Sequence, residues 1–439
     1  MIYGRLFCNK NLRKKLIFTI FVLAVSQILI HIPAFGLDTS YISSLFGSGG
    51  ILGFASALSG GALDTFSLGA FGITSYITAS IILQLFCIIC PKMEAIRKDG
   101  EYGRVWYEKV EYILSFAIIV ISSVGMAYGL RNAGLFDNDI NAITCMAGWI
   151  ICGLIIVILG KKVEEYGIGN GISLILTFNI LSSIPDDLYV YYKETIDGHS
   201  MNIAVRNGII FIIGIFILVL IAVYQQHGAI KVPITQSRKD SEGIEYSSHI
   251  PIPVNIANVF PVIYAATIMS IPGLIATFMS MSGKNIGETG EKVISVFSNS
   301  NWYDPQEPYQ LIGLAIYLVL LVTMAFFSSI LVFNPAEIAD NMIKNGNVID
   351  GIAPGIPTEK YFDRRRKVMA ILNVIILSVL VILPDLLFVR FGLLQMSFLG
   401  TSLVIVISTL NDTSIRLKGA ALSASNNFNL WRDKNGSIE

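Results

Sequence analysis

The chain has 439 residues, of which 54% are hydrophobic and 14% charged, with 31 basic side chains balanced by 31 acidic ones. Soluble domains carry about 25% charge, so this composition, with its mean hydropathy of +0.66, excludes an ordinary soluble enzyme, a disordered chain and a nucleic-acid binder. The apolar residues fall in continuous runs, not in the alternating segments of about ten residues that build membrane barrels. That leaves an all-α polytopic membrane protein.

In chain order, ten stretches approach the ~20 apolar residues that span a bilayer: 16–34, 70–90, 110–130, 141–160, 168–185, 205–224, 255–280, 310–333, 368–389 and 392–410. The basic segment before the first span leads into an apolar run of about 18 residues without a small-residue cleavage site, so it reads as retained. Between the first two spans lies ILGFASALSGGALDTFSLG, apolar but too short and too rich in Gly and Ser to cross. Such a segment reads as re-entrant, tolerated at membrane depth where it is buried in protein or lines a cavity. The fifth span carries Asn170, Ser173, Thr177, Asn179, Ser182 and Ser183, a polarity that requires other helices or water on those faces.

Orientation follows from the basic residues. Of the 31 Lys and Arg, 25 fall on alternate segments beginning with the N-terminus. The positive-inside rule then places both termini in the cytoplasm. With 13 of the 31 acidic residues on the opposite side, the cytoplasmic face carries +7 and the outer face −7.

The middles of the spans hold no ionisable residue, although such groups are what proton-coupled carriers and intramembrane enzymes keep in lipid. His31 lies near a span end, and His199, His227 and His249 lie in loops. Paired carboxylates, H-E-x-x-H, G-x-S-x-G and the P-loop are missing, so the reading is neither an enzyme nor a cofactor protein. The cysteines Cys8, Cys87, Cys90, Cys145 and Cys152 offer no disulfide framework, and the C-x-x-C of Cys87 and Cys90 reads as helix packing, not as a metal or redox site. A secondary transporter of a small solute is the alternative, and it calls for polar ligands at the midplane.

Four segments look organised. SGGALDTFSLGAFGITSYITASIILQL at 59–85 runs from a Gly/Ser stretch into a span. YGIGNGIS at 166–173 opens the polar fifth span with glycines that let backbones approach closely. PIPVNIANVFPVIYAATI at 251–268 enters a span through prolines, and FNPAEIADNMIKNGNVIDGIAPGIPTEKYFDRRRK at 333–367 joins a short amphipathic helix to Gly/Pro turns and a basic run. Loops of that length are uncommon without a function.

In this order the segments resemble the SecY family, the channel-forming subunit of the general protein translocon. The resemblance runs from the basic N-terminus to about residue 412 and rests on S-G-G-A-L…Y-I-T-A-S-I-I, G-I-G-N-G-I-S, N-P-x-E-x-A-D-N and G-T-S-L-x-I-V occurring together. It implies ten transmembrane helices in two inverted five-helix halves around a central pore. On this map 1–185 is the N-terminal half, 186–412 the C-terminal half with cytoplasmic loops 225–253 and 334–367, and 413–439 a cytoplasmic tail.

The resemblance also implies a re-entrant plug at about 51–65, with Ser59, Gly60, Gly61, Ala62 and Leu63 as its core. The family's collar of aliphatic side chains falls on Ile73 and Ile77, Ile172 and Leu176, Ile263, and Ile405. Each of the two pairs is spaced i, i+4, one helical turn apart. An apolar collar of this kind resists wetting and ion leakage. Asn170 and Asn255 match amides at the closed lateral gate, which lies between spans two/three and seven/eight. SecE-like and SecG-like small membrane subunits, a SecA-like motor ATPase or ribosome, and signal-bearing polypeptides are the implied partners, in a bacterial cell membrane. Departures from the family's pattern are Ser75 for a proline, a less basic 228–240 loop and Ala353 for an arginine that serves the motor and ribosome. The run Arg364, Arg365, Arg366 and Lys367 is the candidate compensating docking surface.

Overall fold

The computed structural model describes residues 10–34, 66–97, 100–132, 134, 136, 138–193, 201–236, 247–258, 260–281, 287–297, 308–389 and 399–435. Its helices are α1 (Lys10–His31), α2 (Gly72–Ile89), α3 (Pro91–Arg97), α4 (Gly100–Asn132), α5 (Asp139–Tyr166), α6 (Gly171–Tyr191), α7 (Met201–His227), α8 (Phe260–Met281), α9 (Gly287–Phe297), α10 (Leu311–Val332), α11 (Pro335–Lys344), α12 (Ile356–Val389) and α13 (Leu399–Asn435). Among the described residues ten of these have 18 residues or more, one for each expected span. The expected plug core, Ser59 to Leu63, lies outside the described residues.

Among the described residues six segments are long and apolar enough to cross a membrane, Lys10–His31, Gly100–Asn132, Asp139–Tyr166, Gly208–His227, Leu311–Lys344 and Ile356–Pro384. The chain is a multi-pass membrane protein. Helices α2 and α3 form a further apolar pair bent by 104°. The bend sits at Cys90, whose extended backbone (φ −105°, ψ 103°) precedes Pro91, because a residue before proline is pushed out of the α region. Helices α6 and α8 contribute the shorter apolar stretches Gly171–Pro185 and Phe260–Met269. Several helices outrun their apolar runs: α4, α12 and α13 reach 33, 34 and 37 residues, since charged ends extend the hydrogen-bond ladder at no lipid cost.

The described residues divide into two compact units, one within Met1–Val190, Ser270–Ser300 and Thr409–Glu439, the other within Tyr191–Met269 and Asn301–Ser408. In the first, α2, α4 and α5 pack on one another and α1 packs on α5. Close approach depends on small residues, as expected where lipid supplies no hydrophobic drive between helices. A Cβ at Gly72 would meet the Gly153 carbonyl oxygen at 3.2 Å, and one at Gly160 would meet Ile172 Cγ1 at 2.9 Å. Trp149, fully buried, stands edge-on to Phe71 with centroids 5.3 Å apart and donates its Nε1–H to the Phe66 carbonyl oxygen at 3.4 Å.

In the second unit α12 packs against α7, α10 and α11, and Gln225 Nε2 donates to Asn373 Oδ1 at 2.6 Å across a buried α7–α12 contact. The segments expected as loops 225–253 and 334–367 add something the all-α reading lacked. Strands β1 (Ala229–Gln236), β2 (Ser247–Pro253) and β3 (Asn347–Val348) form an antiparallel sheet in the order β2-β1-β3. Period-2 burial of Val232 and Ile234, joined by Ile252, Met342, Phe362 and Met369, gives this sheet its own small core.

Candidate functional site

The six collar positions all lie on helices. Ile73 (buried) and Ile77 (half-buried) occupy the first two turns of α2, and Ile172 and Leu176, both buried, occupy the first two turns of α6. Ile263 is buried in the first turn of α8 and Ile405, 1% exposed, in the second turn of α13. Ile73, Ile77, Ile172 and Leu176 belong to the first compact unit, Ile263 and Ile405 to the second.

Two turns lead into helices that carry these residues. Ahead of α6, Gly167 N–H donates to Val163 O at 2.8 Å, and Ile168 N–H donates to Thr19 Oγ1 of α1 at 3.1 Å. Gly169 takes φ +95°, a left-handed conformation that glycine adopts without a Cβ penalty. A Cβ on Gly171 would collide with the Gly160 carbonyl oxygen, so backbone rests on backbone there. Asn170 proves to be a helix cap: its Oδ1 accepts from the Ser173 N–H at 3.1 Å, and its carbonyl accepts from Leu174 N–H at 2.9 Å. Ile168 is buried with Leu12, against Leu16 and against Leu417 and Ala420 of α13.

Ahead of α8, Val254 N–H donates to Gly228 O at 2.8 Å, and Ile256 is buried in the core of the sheet. Asn258 adopts φ +57°, the left-handed region that asparagine tolerates better than most residues. Asn255 is 8% exposed, and among the described residues neither Nδ2 nor Oδ1 has a hydrogen-bond partner. The two amides expected as a gate pair are thus in opposite conditions, one satisfied locally and one buried with its hydrogen-bonding capacity unused.

The basic run does not stand outward as a block. Arg366 is buried, with Nε 3.2 Å from Asp363 Oδ1 and Nη1 donating to Ser329 Oγ of α10 at 3.0 Å. One turn of α12 separates Arg366 from Asp363, so the guanidinium closes inward against α10. Lys367 Nζ shares the same carboxylate at 2.8 Å, Arg365 stacks 5.2 Å over the Tyr361 ring, and Arg364 is exposed. Ala353 is exposed and its carbonyl accepts from Thr358 Oγ1 at 2.9 Å; Ser75, buried in α2, occupies the position where a proline was expected.

One cluster was not anticipated. Glu111 of α4 and Lys161 of α5, 5% and 15% exposed at their side chains, form an ion pair with Nζ 3.4 Å from Oε2. Lys161 Nζ also lies 3.4 Å from Glu164 Oε2 and 5.3 Å from the centroid of the Tyr76 ring of α2. Both charges sit at the margins of their apolar runs, where sequence reading takes them for solvated ends. Their opposite signs on neighbouring spans were the available signal.

The family model for SecY matches residues 67–414. The chain belongs to the SecY family. SecY relatives described as protein translocase subunits include one from Streptomyces griseus, 31% identical over 92% of this chain and 94% of the relative. Another, from Staphylococcus carnosus, is 31% identical over 93% of this chain and 94% of the relative. Among solved structures, a protein-conducting channel is similar with a TM-score of 0.68 at 18% identity, covering 92% of this chain and 91% of that one. Sec61 in a canine ribosome–channel complex gives 0.65 at 18% identity with the same coverage. The fold is therefore that of the SecY and Sec61 channels.

Proposed function

We propose that the chain is the channel-forming subunit of a protein translocase. It passes unfolded, signal-bearing polypeptides across the membrane and releases apolar segments sideways into the bilayer. The observation that carries this reading is the SecY match over residues 67–414, in a chain whose six expected collar positions are all Ile or Leu on helices. A ring of flexible aliphatic side chains excludes water and ions at rest and yields to a chain of any side-chain chemistry. Such a subunit hydrolyses nothing; a SecA-like motor or the ribosome supplies the energy, and SecE-like and SecG-like subunits complete the channel. The solute-transporter alternative loses its support with the family assignment.

In this reading Ser59 to Leu63 form the core of the plug, both termini face the cytoplasm of a bacterial cell, and Asn255 belongs to the gate. With Arg366 turned inward, docking of the motor or ribosome falls to Arg364, Arg365 and Lys367, and it weakens as salt rises. The test is electrical. In planar bilayers holding the assembled channel, Ile405→Asn should raise resting ion conductance and relax the demand for a strong signal sequence. Unchanged conductance in a correctly folded variant would remove Ile405 from the collar. A cysteine at Ser59 should react with an impermeant thiol reagent from outside chiefly during translocation, and equal labelling of idle and engaged channels would argue against a plug there.

A further inference from the structure

We propose that Lys161 is a positioning residue for the helix that carries Ile73 and Ile77. Helix α2 is only 18 residues long, and its first turns meet α5 at two different kinds of contact. The first is steric: Gly72 lies against Gly153 and Ile156, with Phe71 edge-on to Trp149. Smooth contacts of this kind fix how close two helices come, yet they resist rotation about the helix axis weakly, because small residues offer no directional bond.

The second contact is directional. Tyr76 sits between Ile73 and Ile77 in sequence and is 8% exposed. The Lys161 ammonium lies 5.3 Å over its ring, while the same ammonium is held 3.4 Å from Glu111 Oε2 of α4 and 3.4 Å from Glu164 Oε2 of α5. The Tyr76 hydroxyl in turn lies beside the Glu111 carboxylate. A cation over an aromatic face gains most when water is excluded, and a buried charge pair is strongly disfavoured from parting because either partner alone would be stranded. Three helices are thereby pinned at one point. With Tyr76 fixed toward Lys161, the direction in which Ile73 and Ile77 project is fixed as well, since they flank it on a rigid helix. The apolar surroundings alone would let α2 turn by a fraction of a residue, enough to misalign two collar side chains.

The inference rests on the channel reading, and the experiment separates the two. Assembled channels are reconstituted in planar bilayers and resting ion conductance is normalised to folded protein. Lys161→Met keeps the aliphatic stem and removes the charge; it should raise the leak about tenfold, equivalent to ~1.4 kcal/mol of lost closure. Lys161→Arg, which keeps a cation that stacks well on aromatic rings, should leave the leak near the parent level. Gln225→Leu, which breaks the buried hydrogen bond to Asn373 in the other unit, should destabilise without leaking. If Lys161→Met does not accumulate, Tyr76→Leu reads the same contact from the other side with the ion pair intact. A tight Lys161→Met or Tyr76→Leu channel beside a leaky Ile405→Asn channel overturns the positioning role and leaves the channel reading standing. A Gln225→Leu leak as large as that of Lys161→Met reduces the effect to general destabilisation and also overturns the role. If Ile405→Asn is tight as well, the collar reading falls and takes this inference with it.

Discussion

The turn before α6 and the turn before α8 do the same topological job, each delivering an apolar helix with an expected collar residue in its first turn, yet they are built to opposite standards. The turn at 167–171 is tied on both sides, with Ile168 N–H on Thr19, Ser173 N–H on Asn170, and a glycine crossing at Gly160 and Gly171 so tight that no side chain fits. At 254–258 the backbone is held by Gly228 and by Ile256 in the sheet's core, but Asn255 is buried with neither side-chain polar atom matched among the described residues. A buried amide without partners costs about 1–3 kcal/mol. The first turn is thus held by matched groups, while the second keeps an amide whose hydrogen-bonding capacity is unused among the described residues.

Substitution at the crossing should have the largest effect. Gly171→Ala drives a methyl into the Gly160 carbonyl, and overpacking against backbone that cannot yield should cost about 3 kcal/mol or more. The folded fraction recovered in detergent should collapse; near-normal recovery would show that the first turn is more pliant than the second. Next, Asn255→Leu replaces an amide that has no partner among the described residues by an apolar side chain of the same branching, and the folded chain should gain about 1–2 kcal/mol. A higher midpoint of thermal unfolding is expected, and a drop would reveal a partner for Asn255. The same substitution class has the reverse sign at the other amide, where Asn170→Ala loses a helix cap worth about 1 kcal/mol, read on the same thermal scale. Smallest of all, Asn258→Gly relieves the left-handed conformation at φ +57° but loosens the unfolded chain, so stability should move by about 0.5 kcal/mol or less.

The helices were legible because lipid allows only one solution to the backbone's hydrogen bonds, and a long apolar run therefore announces itself. Even the difficult fifth span is where its polarity suggested, with Gln27 Nε2 of α1 donating to Asn179 Oδ1 at 2.8 Å. The sheet was not legible. AIKVPITQ and SSHIPIP are short and carry prolines, which argue against a central strand. They are tolerated here because β2 is an edge and because β3 covers β1 only at Thr235 and Gln236, beyond Pro233. Arg366 escaped for a related reason: four adjacent basic residues read alike in a string, and only the register of α12 turns one of them inward against Ser329. The family pattern implies a gate role for Asn170, and its cap is also visible in the sequence as an Asn three residues before Ser173 at the start of a helix.

The sheet also has a history within each molecule's lifetime. Its central strand is closed at one end by β3 and by Thr235 Oγ1, which donates to Asp350 Oδ1 at 3.0 Å, a partner 115 residues further along the chain. On a chain emerging from the ribosome the β1–β2 hairpin therefore waits, its edge and its apolar face uncovered, until α11, β3 and α12 have been made. A nascent chain halted before residue 347 should present that hairpin to proteases, and one halted after α12 should not. Completion of this small patch would then report that most of the later membrane helices have already been synthesised.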